Sequence, residues 1–247
     1  MTGRELFSVK DKVIVVTGGS SGIGQRIVSV LAEHGAQVVC VGFTQHEPQV
    51  HSDRVYYINA DVTNHVEIVS IFDRAEAKFG AVDVVFNNAG VAHQARALDT
   101  DYEMLEHIFS VNVAGAFMVA QTAAKRMIAA KKAGSIINTT SILAERVQKG
   151  AAAYSMSKAA ISQMTRALAV EWAQNSIRVN AIAPGWFPTG INSELLEGPA
   201  AGFLKAQNPM RRLGDLCDLD GAVLMLASDA SAYMTGTIVT IDGGHHL

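Results

Sequence analysis

The feature that most restricts this chain is an alternation. Short runs rich in β-branched residues recur between longer stretches of helical spacing, from Val13-Ile14-Val15-Val16 near the start to Thr237–Ile241 near the end. Gln37–Val41, Val55–Asn59, Val82–Phe86, Ser135–Thr139 and Ile177–Ala181 complete the set, with helical patterns running to about His34 and over 64–79, 101–130, 152–174 and 215–228. The short runs are apolar on both sides, as strands are when helices cover both faces of their sheet. Repeated strand–helix units of this kind predict an α/β fold, a doubly wound parallel sheet of about seven strands with helices on both faces. No Pro/Ser-rich linker, repeat or low-complexity tract divides residues 1–247, so they read as one domain, with a longer irregular insert near 184–214.

Composition narrows the function classes. At 49% hydrophobic and 17% charged residues the chain has the apolar material for a large core and is too weakly charged to be disordered. Twenty Lys plus Arg against 23 Asp plus Glu give a net charge of −3, which argues against nucleic acid and membrane surfaces as partners. Two cysteines, Cys40 and Cys217, form no Cys-x-x-Cys pair and suit a reducing compartment. The first residues contain no apolar signal core, and no stretch approaches the ~18 apolar residues of a membrane span, so a cytoplasmic protein is expected.

Thr17-Gly18-Gly19-Ser20-Ser21-Gly22-Ile23-Gly24 follows the first strand and opens the first helix. Glycines there let the backbone turn tightly and approach a pyrophosphate without an intervening Cβ, and the N–H groups and dipole of the helix start favour the anion. The spacing, from Gly18 to Gly22 to Gly24, differs from Gly-x-Gly-x-x-Gly, and the absence of a following Gly-Lys-Ser/Thr excludes a P-loop. A turn of purely structural use is the alternative; the position directly after strand one favours nucleotide binding.

Tyr154 and Lys158 are four residues apart and share a helix face. A tyrosine titrates near ~10, and to work as a general acid/base near neutrality its phenolate must be favoured, which an ammonium one turn away does electrostatically. Lowering that value by ~2–3 pH units is worth roughly 3–4 kcal/mol. Such a pair is also common on solvated helix surfaces. Ser141 follows the Ser135–Thr139 strand at the sheet edge where ligands bind in open α/β folds, and is read either as a carbonyl-holding hydroxyl or as a cap.

Together these features resemble the classical short-chain dehydrogenases/reductases over essentially the whole chain. The carriers are Thr17–Gly24, Asp61-Val62, Asn87-Asn88-Ala89-Gly90, Asn112, Ser141, Tyr154-Ser155-Met156-Ser157-Lys158, Pro184-Gly185 with Thr189, and Asp242-Gly243-Gly244. The resemblance implies a Rossmann-like fold and an NAD(P)-dependent oxidoreductase that interconverts a carbonyl and a secondary alcohol by hydride transfer. It implies Tyr154 as proton donor or acceptor, Ser141 on the substrate oxygen, Lys158 on the nicotinamide ribose and lowering the tyrosine pKa, and Asn112 holding the water of a proton relay. It further implies cofactor contacts from Gly18, Ser20, Ser21, Gly22, Ile23 and Gly24, from Asn88, Ala89 and Gly90 beside the adenosine ribose, and from Asp61 and Val62 on the adenine. Pro184, Gly185, Phe187 and Thr189 fall to the nicotinamide end, with Thr189 on its carboxamide and Ile182 nearby. For Asp61 a helix cap, and for Asn87–Gly90 an Asx turn, are the structural alternatives.

The end of strand two discriminates NAD from NADP, an acid there accepting from the ribose 2′-OH and a cation pairing with a 2′-phosphate. Here Gly42 stands at the acid's position, Phe43 follows where many NADP users carry arginine, and Ser21 stands where others carry a cation. With neither signature, and a phosphate costly to desolvate without a cation, the reading leans to NAD(H), a neutral diol being served by Ser20, Thr44 or backbone groups. NADP(H) stays open, since His46, His51 or Arg54 reaching the pocket would reverse it. Residues 186–210 read as a substrate lid whose inner face is apolar through Trp186, Phe187, Ile191, Leu195, Leu196, Phe203 and Leu204. Trp186 and His93 are candidate substrate contacts with Ser141 and Tyr154, and Gln94 a polar neighbour. No metal-ligand pattern stands out, and His245-His246 reads as a polar tail or subunit contact.

The expected substrate is a small carbonyl or alcohol, on a polyol, sugar-acid or small-ketone theme. A 3-oxoacyl-thioester reductase is the alternative, and a non-catalytic dinucleotide binder or an extended sugar-nucleotide epimerase fits less well. The resemblance also implies a homotetramer built through 101–130, 152–174 and the C-terminal strand. Alanines 114, 116, 120, 123, 124, 159, 160, 167 and 169 permit close helix approach there, as they would in a monomer core.

Overall fold

The computed structural model describes residues 3–43, 52–190 and 200–247; Thr44, His46, His51, Ile191, Leu195 and Leu196 lie outside the described residues. Among those described, seven parallel strands form one sheet in the order β3-β2-β1-β4-β5-β6-β7. They are β1 (Val13–Thr17), β2 (Gln37–Gly42), β3 (Val55–Asn59), β4 (Val84–Asn87), β5 (Gly134–Thr139), β6 (Ile177–Pro184) and β7 (Ile238–Ile241). The helices are α1 (Gly3–Leu6), α2 (Gly22–Glu33), α3 (His65–Phe79), α4 (Tyr102–Phe109), α5 (Ala116–Ala129), α6 (Ala152–Trp172), α7 (Ala200–Gln207) and α8 (Asp220–Ala227). None of the helices among the described residues is long and apolar enough to cross a membrane.

The apolar runs are explained by two helical layers. Side chains alternate across a strand, so Val13 and Val15 pack with Phe72, Val119 and Leu168 on one face, while Ile14 and Val16 pack with Ile27, Leu31 and Leu226 on the other. The alanines of α5 serve this monomer core, Ala120, Ala123 and Ala124 being buried in it, as is Ala169 of α6.

Two expected helices are interrupted. The stretch 101–130 divides into α4 and α5 around a π-helical segment, Ser110–Gly115, and 215–228 divides into a 3-10 turn, Leu216–Leu219, followed by α8. In the second, Asp215 and Asp218 close a capping box that starts the chain in a tighter turn than an amphipathic pattern reveals.

The chain runs outward from β1 to β3, then returns to place β4 on the other side of β1, and this reversal opens a crevice at the carboxyl ends of the strands. Thr17 is level with Asn87, Asn87 with Asn138, and Thr139 with Ile182. The edge is tied by buried polar side chains. Asn87 Nδ2 donates to the Ala116 carbonyl at 2.6 Å and to Asn138 Oδ1 at 3.2 Å, and Asn138 Nδ2 donates to Thr165 Oγ1 at 2.9 Å. Paired this way, the amides avoid the cost of burial without partners.

Candidate active site

One wall of the crevice is backbone. Gly18, at φ +64°, lies so close to the next loop that a Cβ would stand 2.8 Å from Ala89 Cα, and a Cβ on Gly24 would stand 2.0 Å from the Gly18 carbonyl oxygen. Thr17 and Asn88 hold this packing together. Thr17 Oγ1 accepts from the Asn88 and Ala89 N–H groups, both at 3.1 Å, while Asn88 Nδ2 donates to the carbonyls of Thr17 and Gly18, both at 3.2 Å. The Asn88-Ala89-Gly90 turn therefore locks the glycine loop. Ser21, the residue before α2, makes no side-chain cap, and Gly22, Ile23 and Gly24 bring the first turn of a twelve-residue helix to the cleft. Side-chain-free backbone beside an uncapped helix start fits the pyrophosphate of a dinucleotide.

The other wall is made of side chains. Ser141, Tyr154 and Lys158 converge on the same cleft of about 260 Å³, together with Pro184, Gly185, Phe187 and Thr189. Ser141 acts as a cap, its Oγ accepting from Leu143 N at 3.1 Å over the turn Ile142–Ala144, and it also interacts with the Tyr154 hydroxyl. Lys158 is only 5% exposed; its Nζ donates to the Thr139 carbonyl at 2.8 Å and stands 5.6 Å from the centroid of the Tyr154 ring. Thr140 fastens the helix below it, its Oγ1 donating to the Lys158 carbonyl at 2.8 Å.

The expected acidification of Tyr154 is absent from the protein by itself. Burial pushes the phenol above its ordinary value, against a smaller opposing effect of the Ser141 bond, and burial pulls the Lys158 ammonium down to about 8. The physical reason is that lost hydration favours the neutral form of both groups, while the ammonium faces a carbonyl and the ring face.

Asn112 lies beneath this wall, in the π-helical segment. Its Oδ1 accepts from Val91 N at 2.8 Å, and its Nδ2 donates to the Val91 carbonyl at 2.9 Å and to Ser157 Oγ at 3.0 Å, which in turn donates to the Tyr154 carbonyl at 2.7 Å. Asn112 thus clamps the loop after β4 to the first turn of α6, and a Cβ on Gly90 would meet Asn112 Oδ1 at 3.2 Å and Lys158 Nζ at 3.5 Å.

Several of the expected residues lie outside the lining of this cleft. Ser20 lies under the end of β2, where a Cβ on Gly42 would meet its Oγ at 2.7 Å and the Tyr57 hydroxyl at 2.9 Å; Phe43 beyond it is 70% exposed. Arg54 is removed from the question, donating to the Gly35 carbonyl at 3.0 Å and pairing with Asp11 at the opposite edge of the sheet. Asp61 Oδ1 accepts from Thr63 N and Oγ1, both at 2.8 Å, and the cap of α3 is Asn64 rather than Asp61; Val62 is buried against Gly115. Ile182 is in the core.

His93 and Gln94 are exposed and absent from the cleft lining, because the loop carries them outward. Trp186 turns from the cleft to donate its indole N–H to His245 Nε2 at 3.1 Å. His245 is consequently no polar tail: it is 4% exposed, and burial followed by the nearby Arg146 holds its pKa below the usual histidine value. His246 bonds to the Asp242 carboxylate. In the lid, Leu204 is buried but Phe203 faces outward. Sequence reasoning missed Val91, Thr139 and Thr140, which also line the cleft. The two threonines had a legible signal, since they directly precede Ser141 at the strand end; Val91 had none.

The family model described as enoyl-(acyl carrier protein) reductase matches residues 18–246. The chain is 33% identical over 244 residues to 2-dehydro-3-deoxy-D-gluconate 5-dehydrogenase of Escherichia coli (strain K12), covering 96% of each protein. It is 34% identical over 242 residues to cis-4-hydroxycyclohexanecarboxylate dehydrogenase of Sinomonas cyclohexanicum, covering 95% of this chain and 96% of the relative. A crystal structure of a gluconate 5-dehydrogenase from Burkholderia cenocepacia J2315, in complex with NADP and tartrate, matches with TM-score 0.93 at 30% identity, covering 99% of this chain and 98% of that one. The chain is accordingly an NAD(P)-dependent oxidoreductase that interconverts a carbonyl and a secondary alcohol, and the 3-oxoacyl-thioester alternative is not favoured. With a seven-stranded parallel sheet, a glycine loop at its reversal point and these matches along nearly its whole length, the chain belongs to the short-chain dehydrogenase/reductase family.

Proposed function

We propose that this enzyme oxidises a secondary alcohol of a hydroxy acid, or reduces the corresponding keto acid, with Tyr154 as the general acid/base. The observation that carries this reading is the meeting of Ser141, Tyr154 and Lys158 at one cleft with the glycine loop. Nicotinamide nucleotide, when bound, supplies or accepts hydride and in its oxidised form brings a positive ring. Gly18, Ser21, Gly22, Ile23, Gly24, Asn88 and Gly90 would hold its phosphates and ribose, with Pro184, Gly185, Phe187 and Thr189 at the nicotinamide end.

Ser141 Oγ holds the substrate oxygen in line with the phenol. Tyr154 gives that oxygen a proton in reduction and takes it back in oxidation. Lys158, poised near 8, sits on the ribose side and favours the phenolate as it takes up a proton; Asn112 holds the water through which the proton reaches solvent. A hydroxy-acid substrate is supported by the relatives, two named for gluconate chemistry and one for a hydroxycyclohexanecarboxylate.

NAD(H) is the nucleotide of this reading. Its support is the neutral pair Ser20 and Tyr57 beside Gly42, and Arg54 being engaged elsewhere; the NADP-bound gluconate 5-dehydrogenase keeps both nucleotides in the test. We also place the enzyme in the cytoplasm, on the strength of its two free thiols, with residues 186–210 as the lid of a single domain. A homotetramer is supported by Phe117 and Val170, exposed on α5 and α6, and is checked by light scattering.

The test is a panel of hydroxy acids, keto acids and neutral ketones assayed with each nucleotide by its absorbance. Turnover of at least one acid is expected. Failure of every substrate with both nucleotides overturns the reading, and a tenfold preference for NADP(H) overturns the nucleotide assignment.

A further inference from the structure

A second cavity of about 410 Å³ lies behind the turn that follows Ser141, lined among others by Leu143, Arg146, Lys149, Trp186, Leu204 and His245. It adjoins the reactive cleft. Leu143 is two residues beyond Ser141, Trp186 precedes Phe187 of the cleft, and Tyr154 and Trp186 both pack on the cluster of Ile142 and Leu143. Among the described residues the two cavities share no lining residue, and a substrate reaching both would pass Leu143 and Trp186.

Among the described residues, the charged and titratable groups lining this cavity are two cations and a histidine, with no Asp or Glu. Among the described residues no carboxylate lies within ion-pair distance of Arg146 or Lys149. The Arg146 guanidinium donates through Nη1 to the His245 carbonyl, which anchors it at one corner of its fork. Lys149 is exposed at the rim. His245 Nε2 accepts from Trp186, so the neutral ring carries its proton on Nδ1, and that atom has no acceptor among the described residues. An anchored guanidinium and an ammonium, with no carboxylate within ion-pair distance among the described residues, make a receptor for an anion.

We infer that this cavity takes the carboxylate of the substrate, read by Arg146 and drawn in by Lys149, so that these two residues set the preference for acids over neutral alcohols. The inference rests on the first cleft being where the alcohol reacts. It differs from what the sequence displays, since the lid holds no cationic cluster and the neighbouring cations are engaged: Arg212 pairs with Asp218 and Arg211 bonds to the Ala206 carbonyl.

The experiment compares D-gluconate with D-sorbitol, in which a hydroxymethyl group replaces the carboxylate, and adds a titration of tryptophan fluorescence by D-gluconate, since Trp186 lines the cavity. The wild-type enzyme is expected to favour gluconate in kcat/KM. Arg146→Gln is expected to lower the gluconate-to-sorbitol ratio by about tenfold or more, the worth of one charge-assisted hydrogen bond, and Arg146→Lys by less. Lys149→Gln, an exposed change that leaves the fold intact, is expected to lower it by roughly threefold and to flatten its salt dependence. Gluconate quenching should weaken in parallel. Equal ratios in wild type and both variants overturn the inference while leaving the oxidoreductase reading intact. If neither alcohol turns over, the fluorescence titration decides alone: binding lost in Arg146→Gln sustains the anion site, and binding absent or indifferent to Arg146 overturns it.

Discussion

The two walls of the cleft are built on different principles. The nucleotide wall is assembled from two stretches of chain about 70 residues apart, with Gly18 pressed on Ala89, Gly24 on Gly18, and Thr17 and Asn88 as fasteners, so its shape is fixed by backbone in contact with backbone. The substrate wall draws on segments far apart in sequence: Ser141 and Leu143, the helix from Tyr154, Trp186, α7 and His245 of the C-terminal segment, held by single side-chain bonds such as Trp186 to His245. A surface of the first kind tolerates almost no substitution but accepts one shape of ligand. A surface of the second kind is adjusted by changing one side chain at a time, which suits a shared cofactor facing a variable substrate.

The contrast can be broken or sharpened by substitution. The largest effect is expected from Tyr154→Phe, which keeps the ring and removes the proton: kcat falls by about a thousandfold, within the range for a general acid/base, while nucleotide affinity measured by fluorescence stays within a few-fold. Unchanged turnover removes Tyr154 from the chemistry. Next comes Gly24→Ala in the backbone wall, where the new Cβ has nowhere to go; a loss of about 3 kcal/mol in denaturant unfolding and of nucleotide binding is expected.

Lys158→Met, in the side-chain wall, is expected to raise stability at pH 7 by at most about 3 kcal/mol in the nucleotide-free enzyme, because the wild type buries a charge there. The sign follows from the proton count. Between about 8 and the ordinary lysine value of 10.5 the unfolded chain holds a proton that the folded protein has released, so wild-type stability climbs with pH over that window and the advantage of the variant shrinks. A gain independent of pH refutes this account. Trp186→Phe leaves His245 Nε2 without its donor and should cost about 1 kcal/mol by thermal unfolding. The smallest effect contrasts with Gly24: a Cβ added at Gly202 on α7 meets nothing within 4 Å, so Gly202→Ala should stabilise by up to about 1 kcal/mol through helix propensity.

The same division governs what could be read before the structure. The strands, the glycine loop and the Tyr154–Lys158 spacing are local patterns, and the structure returns them within three residues, down to β3 at Val55–Asn59, with β6 running on to Pro184. The break between α4 and α5 escaped because apolar periodicity continues through it, the extra residue per turn showing only in which carbonyl each N–H meets. Electrostatic reasoning from Lys158 to Tyr154 left out the effect of burial, which raises the phenol and lowers the ammonium, because spacing places two groups on one face without revealing how closed in they are. His245, an apparent tail residue, acquires its role only when the fold brings Trp186 and Arg146 to it, and no window of sequence around it carries that information.

The π-helical segment has a genetic consequence. An α-helix advances about 100° per residue, so removing one residue between Ser110 and Gly115 would let a single uninterrupted rod form while rotating everything on one side by that angle relative to the other. Such a one-codon deletion would turn the core-facing side of α5, with Val119, Ala120 and Ala123, out of register with α4, and swing the Asn112 amide off the Val91 peptide that it grips on both edges. The enzyme's vulnerability to in-frame loss is thus greatest in a stretch where ordinary replacement scanning, which preserves length, would never look.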